Sequence, residues 1–80
     1  MAKVKIYSTP SCVYCKMARE FFEKHSVEYE DHDVAANGEA LKEMINKSHQ
    51  MGVPVIDIDG QIFVGFNRLG LEKVLGIKVA

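Results

Sequence analysis

Cys12 and Cys15 are the only cysteines in a chain of 80 residues, with Val13 and Tyr14 between them. That spacing constrains what can lie on either side. Ahead of the pair, Val4-Lys5-Ile6-Tyr7 alternates apolar and polar side chains; behind it an amphipathic run extends from Lys16 to His25. A Cys-x-x-Cys pair where a buried strand turns into a helix is a setting for redox chemistry.

The rest of the chain supplies elements that suit this junction. Lys3 to Ser8 reads as a first strand, and Thr9-Pro10-Ser11 ends it, since Pro10 lacks an amide donor and biases Thr9 away from helix. A helix is expected from about Cys12, with Ser11 or Cys12 at its cap. Val13, Met17 and Phe21, with Ala18, Phe22 and His25 beside them, should form its apolar face. Val27 to Val34 reads as a weaker second strand, Ala35 to Gly38 as a turn, and Asn37 as the cap of a second helix ending at Lys47 or Ser48. Val53 to Ile58 and Gln61 to Val64 flank an Asp59-Gly60 turn as a hairpin, and Gly65-Phe66-Asn67 leads to a last helix over Arg68–Leu75, stopped by Gly76.

The element order is therefore β-α-β-α-β-β-α within one domain, residues 1–80. Strands joined through a helix should run parallel, and those joined by a tight hairpin antiparallel. A mixed four-stranded sheet flanked by three helices meets both demands, and that arrangement is the thioredoxin fold in a minimal α/β form.

Bulk properties narrow the function. Ten basic and eleven acidic residues leave a formal charge of -1, without the basic excess that nucleic-acid binding requires. Neither a signal peptide nor a membrane-spanning run of roughly 20 apolar residues is recognisable. The expected compartment is the cytoplasm, where structural disulfides are rare, and the expected state is a monomer.

At a helix N-terminus the free amides and the dipole favour a thiolate. Cys12 should thus be the attacking sulfur, and Cys15, about one turn further in, the thiol that resolves the mixed disulfide. Lys16 beside the pair either assists the thiolate or is a solvated charge. A zinc site would need His25, His32 and His49 as further ligands, none at a paired spacing, so no metal is expected. A cis bond before Pro54 would turn Val53's backbone outward as a short edge for an extended peptide.

Together these residues resemble the glutaredoxins and related glutaredoxin-like redoxins: the strand before Cys12-Val13-Tyr14-Cys15, Glu43-Met44-Ile45 with Lys47-Ser48, Val53-Pro54, and the terminal Gly65 turn and helix. The resemblance implies a dithiol oxidoreductase with Cys12 as nucleophile and Cys15 as resolving thiol. It further implies a cis Pro54, no bound cofactor, and glutathione as co-substrate alongside protein disulfides. Tyr14, Val53, Pro54, Gly65, Phe66, Asn67 and Lys42 are the implied substrate- and glutathione-binding residues, and Lys47 lies in the same helix as Lys42. The chain departs from the family in having Val13 for the usual Pro, no base in Ser8-Thr9-Pro10, and no acid in Gly65-Phe66-Asn67-Arg68. That last turn looks more like redoxins reduced by thioredoxin reductase, a flavoprotein, that feed ribonucleotide reductase. An iron–sulfur carrier would need external thiols, since one chain offers one exposed cysteine; a non-catalytic binding module would not need Cys12 at all.

Overall fold

β1 (Val4–Ser8) is the strand on which the other elements are assembled. The computed structural model describes residues 3–76, so the ends of the expected 1–80 domain lie outside the described residues. β1 pairs in parallel with β2 (Tyr29–Asp33) and antiparallel with β3 (Val55–Ile58), which pairs antiparallel with β4 (Gln61–Val64). The four-stranded sheet has the order β2-β1-β3-β4, which places the parallel pair and the hairpin as the connections require.

The alternation within β1 sorts the core into two layers. Val4 and Ile6 join Ile56 and Ile58 on one face, where they meet Ala18, Phe21 and Phe22 of α1 (Val13–Lys24) and Leu71 of α3 (Arg68–Leu75). Tyr7 and Val55 point the other way, onto Ala40 and Met44 of α2 (Gly38–Ser48). Helices thus cover both faces.

Capping fixes where the later helices begin. Asn37 Oδ1 accepts from the Glu39 and Ala40 amides, and Asn67 Oδ1 from the Gly70 amide. Gly76 ends α3 at a φ of 70°, the left-handed conformation a glycine takes without strain.

Three expectations differ from the structure, the first being the third strand, which begins at Val55 rather than Val53. Val13 and Met17 are exposed, at 69% and 42%, so they are not on the apolar face of α1. The buried side chains of that helix are Cys15, Ala18, Phe21 and Phe22. The second strand is also shorter than Val27–Val34, because Val27 donates its amide to Phe22 O at 2.8 Å and is still closing the helix.

Candidate active site

The loop between β1 and α1 delivers Cys12 as the helix N-cap. Its backbone is extended, its amide donates to Thr9 O at 3.3 Å, and its carbonyl accepts from the Lys16 amide at 3.1 Å. Its sulfur takes the place of the oxygen a Ser or Asp would supply: the Cys15 N–H donates to Cys12 Sγ at 3.2 Å. The helix therefore directs a free amide at the more accessible of two free thiols, Cys12 being half-buried and Cys15 buried.

Cys15 is fully covered. Burial first, then hydrogen bonding with Cys12, pushes its thiol up to about 12; the Thr9 main chain and the Arg19 charge act in the opposite direction. One sulfur can be met from outside, and the other stays protonated behind it.

The second segment at the site is the Val53–Pro54 step, whose peptide bond is cis. Val53 O lies 3.9 Å from Cys12 Sγ. Pro54 is buried, and its carbonyl accepts the Gly65 amide at 2.8 Å, tying the third segment to the second. Gly65 has a φ of 80°, which only glycine adopts without strain.

These contacts bring Cys12, Cys15, Val53, Pro54 and Gly65 together. Tyr14 lies two residues after Cys12 and is 62% exposed. Phe66 is half-buried, packing edge-on against Phe21 at 5.8 Å, and Asn67 is engaged as the α3 cap. Lys42 stands exposed on α2 and takes part in none of the contacts described for the thiols. Lys47 is committed elsewhere. Its ammonium donates to Asp57 Oδ2 at 2.6 Å and Tyr7 OH at 3.0 Å, and lies 3.1 Å from Glu43 Oε1.

Arg19 belongs to no recognisable motif in the sequence. The structure turns it inward: Nη1 donates to Ser8 Oγ at 3.1 Å and lies 3.5 Å from Asp31 Oδ2. The available signal was its position four residues after Cys15, one turn along the same helix face.

Among the described residues no group of three or more His, Cys, Asp or Glu side chains is arranged to hold a metal ion, and no helix is long and apolar enough to cross a membrane. Two shallow hollows are lined by Lys3, Val4, Glu28, Tyr29 and Glu30, and by Lys3, Lys5, Asp57, Asp59 and Gly60. Neither includes a thiol.

Comparison with known proteins fits this geometry. The family model for glutaredoxin matches residues 4–64. An uncharacterized glutaredoxin-like 8.6 kDa protein in a rubredoxin operon of Clostridium pasteurianum is 43% identical over 72 residues, covering 90% of this chain and 96% of that one. Glutaredoxin 3 of Escherichia coli K12 is 33% identical over 69 residues, covering 86% of this chain and 83% of its own. Among solved structures, a mutant of the thioredoxin-like protein BC3987 superposes with a TM-score of 0.90 at 29% identity, covering 98% of this chain and all of that one.

Proposed function

Because the chain belongs to the glutaredoxin family, thiol–disulfide oxidoreductases of thioredoxin fold, we propose that it works as a dithiol redoxin through Cys12 and Cys15, with glutathione as its reductant. The observation that carries this reading is the asymmetry of the pair: a half-buried cap sulfur receiving an amide, backed by a buried thiol on the same helical turn. Cys12 attacks a substrate disulfide and takes up one half of it. Cys15 attacks the Cys12 sulfur and releases that half, and glutathione returns the Cys12–Cys15 disulfide to two thiols. A mixed disulfide lies against the Val53–Pro54 edge, with Tyr14 and the Gly65-Phe66-Asn67 turn at its sides and Lys42 of α2 as a basic contact. No bound cofactor is needed, and the reducing cytosol is the matching compartment.

A second reading has its own support. Ser8, Thr9 and Pro10 carry no charge, Lys47 is saturated, and Arg68 pairs with Glu72 at 3.6 Å, which leaves few charges for glutathione's carboxylates. Val13, Tyr14, Met51 and Leu69, all more than half exposed, instead give the thiol-bearing and neighbouring segments an apolar surface suited to a protein. On that reading a thioredoxin reductase supplies the electrons and ribonucleotide reductase receives them.

Two coupled assays following NADPH consumption decide between them, one with glutathione and glutathione reductase, the other with thioredoxin reductase. Turnover is expected in the first and is abolished by Cys12→Ser. Turnover with thioredoxin reductase alone overturns the glutathione assignment, and activity surviving in Cys12→Ser overturns the mechanism. Cys15→Ser should lose reduction of protein disulfides while sparing glutathione mixed disulfides.

A further inference from the structure

Arg19 lies at the i+4 position from Cys15, on the same side of α1. Its contacts reach two strands. Nη1 donates to Ser8 Oγ at 3.1 Å and lies 3.5 Å from Asp31 Oδ2, while Ser8 Oγ donates to Asp31 Oδ1 at 2.6 Å. Ser8 is 2% exposed and is the last residue of β1, where the chain turns toward Cys12. A long, flexible cation is thereby fixed within a closed triangle of partners, one helical turn along α1 from the resolving cysteine.

We propose that Arg19, anchored by Ser8 and Asp31, is a positioning residue for the second half of the reaction, its guanidinium holding positive charge beside the Cys15 sulfur and favouring the thiolate that resolves the mixed disulfide. The inference rests on the dithiol reading above. In the first half-reaction the Cys12 thiolate forms a bond to one substrate sulfur, and the other sulfur leaves as a thiolate. In the second, the Cys15 thiolate attacks Cys12 Sγ, the bond between Cys12 and the substrate breaks, and the second substrate sulfur leaves. Two electrons pass from the cysteine pair to the substrate, and the two thiol protons end on the released sulfurs.

Cys15 must be deprotonated for that second attack, and burial works against it. Of the ionisable groups, Cys12 and Arg19 act on it most strongly, and in opposite directions. Once Cys12 is bonded to substrate its sulfur carries no charge. Burial is then opposed by the Thr9 main chain and by Arg19, whose own charge is partly offset by Asp31 of β2. The structure thus supplies its cation where the chemistry is hardest.

The test uses the reduced protein and one equivalent of Ellman's reagent, followed by stopped flow. Attack by Cys12 releases a first thionitrobenzoate, and attack by Cys15 on the mixed disulfide releases a second. Arg19→Gln should leave the first phase unchanged and move the pH profile of the second upward. A shift of about one unit cuts the thiolate about tenfold below its pKa, and the greater nucleophilicity of a more basic thiolate offsets part of that, leaving the second phase about threefold slower. Arg19→Lys should recover most of the rate. Asp31→Asn, which keeps a hydrogen-bonding group but removes the opposing charge, should move the profile downward. An unchanged second phase in Arg19→Gln overturns the proposal. So does an Asp31→Asn profile that shifts the same way as Arg19→Gln, the mark of a purely structural staple. Release of a single thionitrobenzoate by the unmodified protein instead overturns the resolving role of Cys15, and with it the dithiol reading.

Discussion

Tyr7 and Ser8 are neighbours on β1, and because strand side chains alternate they anchor two cation networks on opposite faces of the sheet. Under α2, Lys47 meets Tyr7, Glu43 and Asp57, with two carboxylates against one ammonium, and lies 5.3 Å from the Tyr7 ring centroid. Lys5 adds a second positive charge 3.7 Å from Glu43. Under α1, Arg19 meets one carboxylate and one hydroxyl, at the end of the strand that leads to the thiols. The first network satisfies its charges internally and joins α2 to the sheet. The second sets its guanidinium against a single carboxylate at 3.5 Å, one helical turn from Cys15. Similar chemistry on the two sides of one strand thus divides between holding the fold and serving the reaction.

Lys47→Met should have the largest effect. It removes the cation and leaves Asp57, 9% exposed, without its ionic partner. Loss of about 3 kcal/mol is expected in urea unfolding, as for a broken, largely buried ion pair. Adding Asp57→Asn should recover much of the loss, because the amide oxygen still accepts from the Gly60 N–H. Equal losses in the single and double variants would mean that the charge pair is not what Lys47 contributes.

Smaller effects come from the two β1 residues. Tyr7→Phe removes a hydroxyl that donates to Glu43 and accepts from Lys47, at an expected cost of about 1.5 kcal/mol for hydrogen bonds to charged partners. Ser8→Ala leaves Arg19 and Asp31 still facing each other and should cost about 1 kcal/mol. The comparison predicts that their kinetics diverge: only Ser8→Ala should alter the second phase with Ellman's reagent. A matching change in Tyr7→Phe would merge the two networks into one.

How far the sequence discloses all this depends on range. Elements and caps governed by near neighbours are legible: Asn37 and Gly76 bound their helices, and Gln61–Val64 and Arg68–Leu75 are observed as expected, while the cis Val53–Pro54 bond follows the family resemblance. The buried face of α1 is not. Val13-Met17-Phe21 and Cys15-Ala18-Phe22 are both apolar series at helical spacing, and the rotation with which the helix leaves the β1 loop buries the second together with Phe21 and leaves Val13 and Met17 outside. The polar networks are harder still, since their partners lie far apart in the chain, 36 residues between Tyr7 and Glu43 and 23 between Ser8 and Asp31. Lys47 on α2 reads as a neighbour of Lys42 in a ligand-binding helix, and nothing local marks Arg19 on α1, until the sheet brings in their acceptors.

Acid should act on the α2 side. The hydrogen bond from the Tyr7 hydroxyl first, then that from Lys47, lowers the Glu43 carboxyl from 4.5 to about 2. Burial pushes Asp57 upward, but the bonds from Lys47 and the Gly60 amide hold it below its ordinary value. A carboxylate whose folded pKa is depressed contributes stability above its unfolded pKa and loses it as pH falls toward the folded value. Glu43→Gln should therefore differ most from the unmodified protein above pH 4.5, and the difference should shrink toward pH 2. The effect is small because the Glu43 side chain is 45% exposed and water screens it. Urea titrations across that range measure it, and a constant offset between the two proteins would refute the assignment.

The smallest expected effect concerns Lys16, the cation adjacent to Cys15 in sequence. One residue along a helix is a rotation of about 100°, which directs neighbouring side chains to different faces, whereas four residues return to the same one. Lys16 is accordingly 73% exposed, with a loose pair to Glu20 at 4.0 Å, while Arg19 is 22% exposed and held by Ser8 of β1 and Asp31 of β2, which are themselves hydrogen-bonded to each other. Lys16→Gln should change stability by less than about 0.5 kcal/mol. It should also leave both thionitrobenzoate phases as they are. If Lys16→Gln slowed the second phase as much as Arg19→Gln does, general positive charge near the helix start would be enough to activate Cys15, and the anchored geometry of Arg19 would lose its significance.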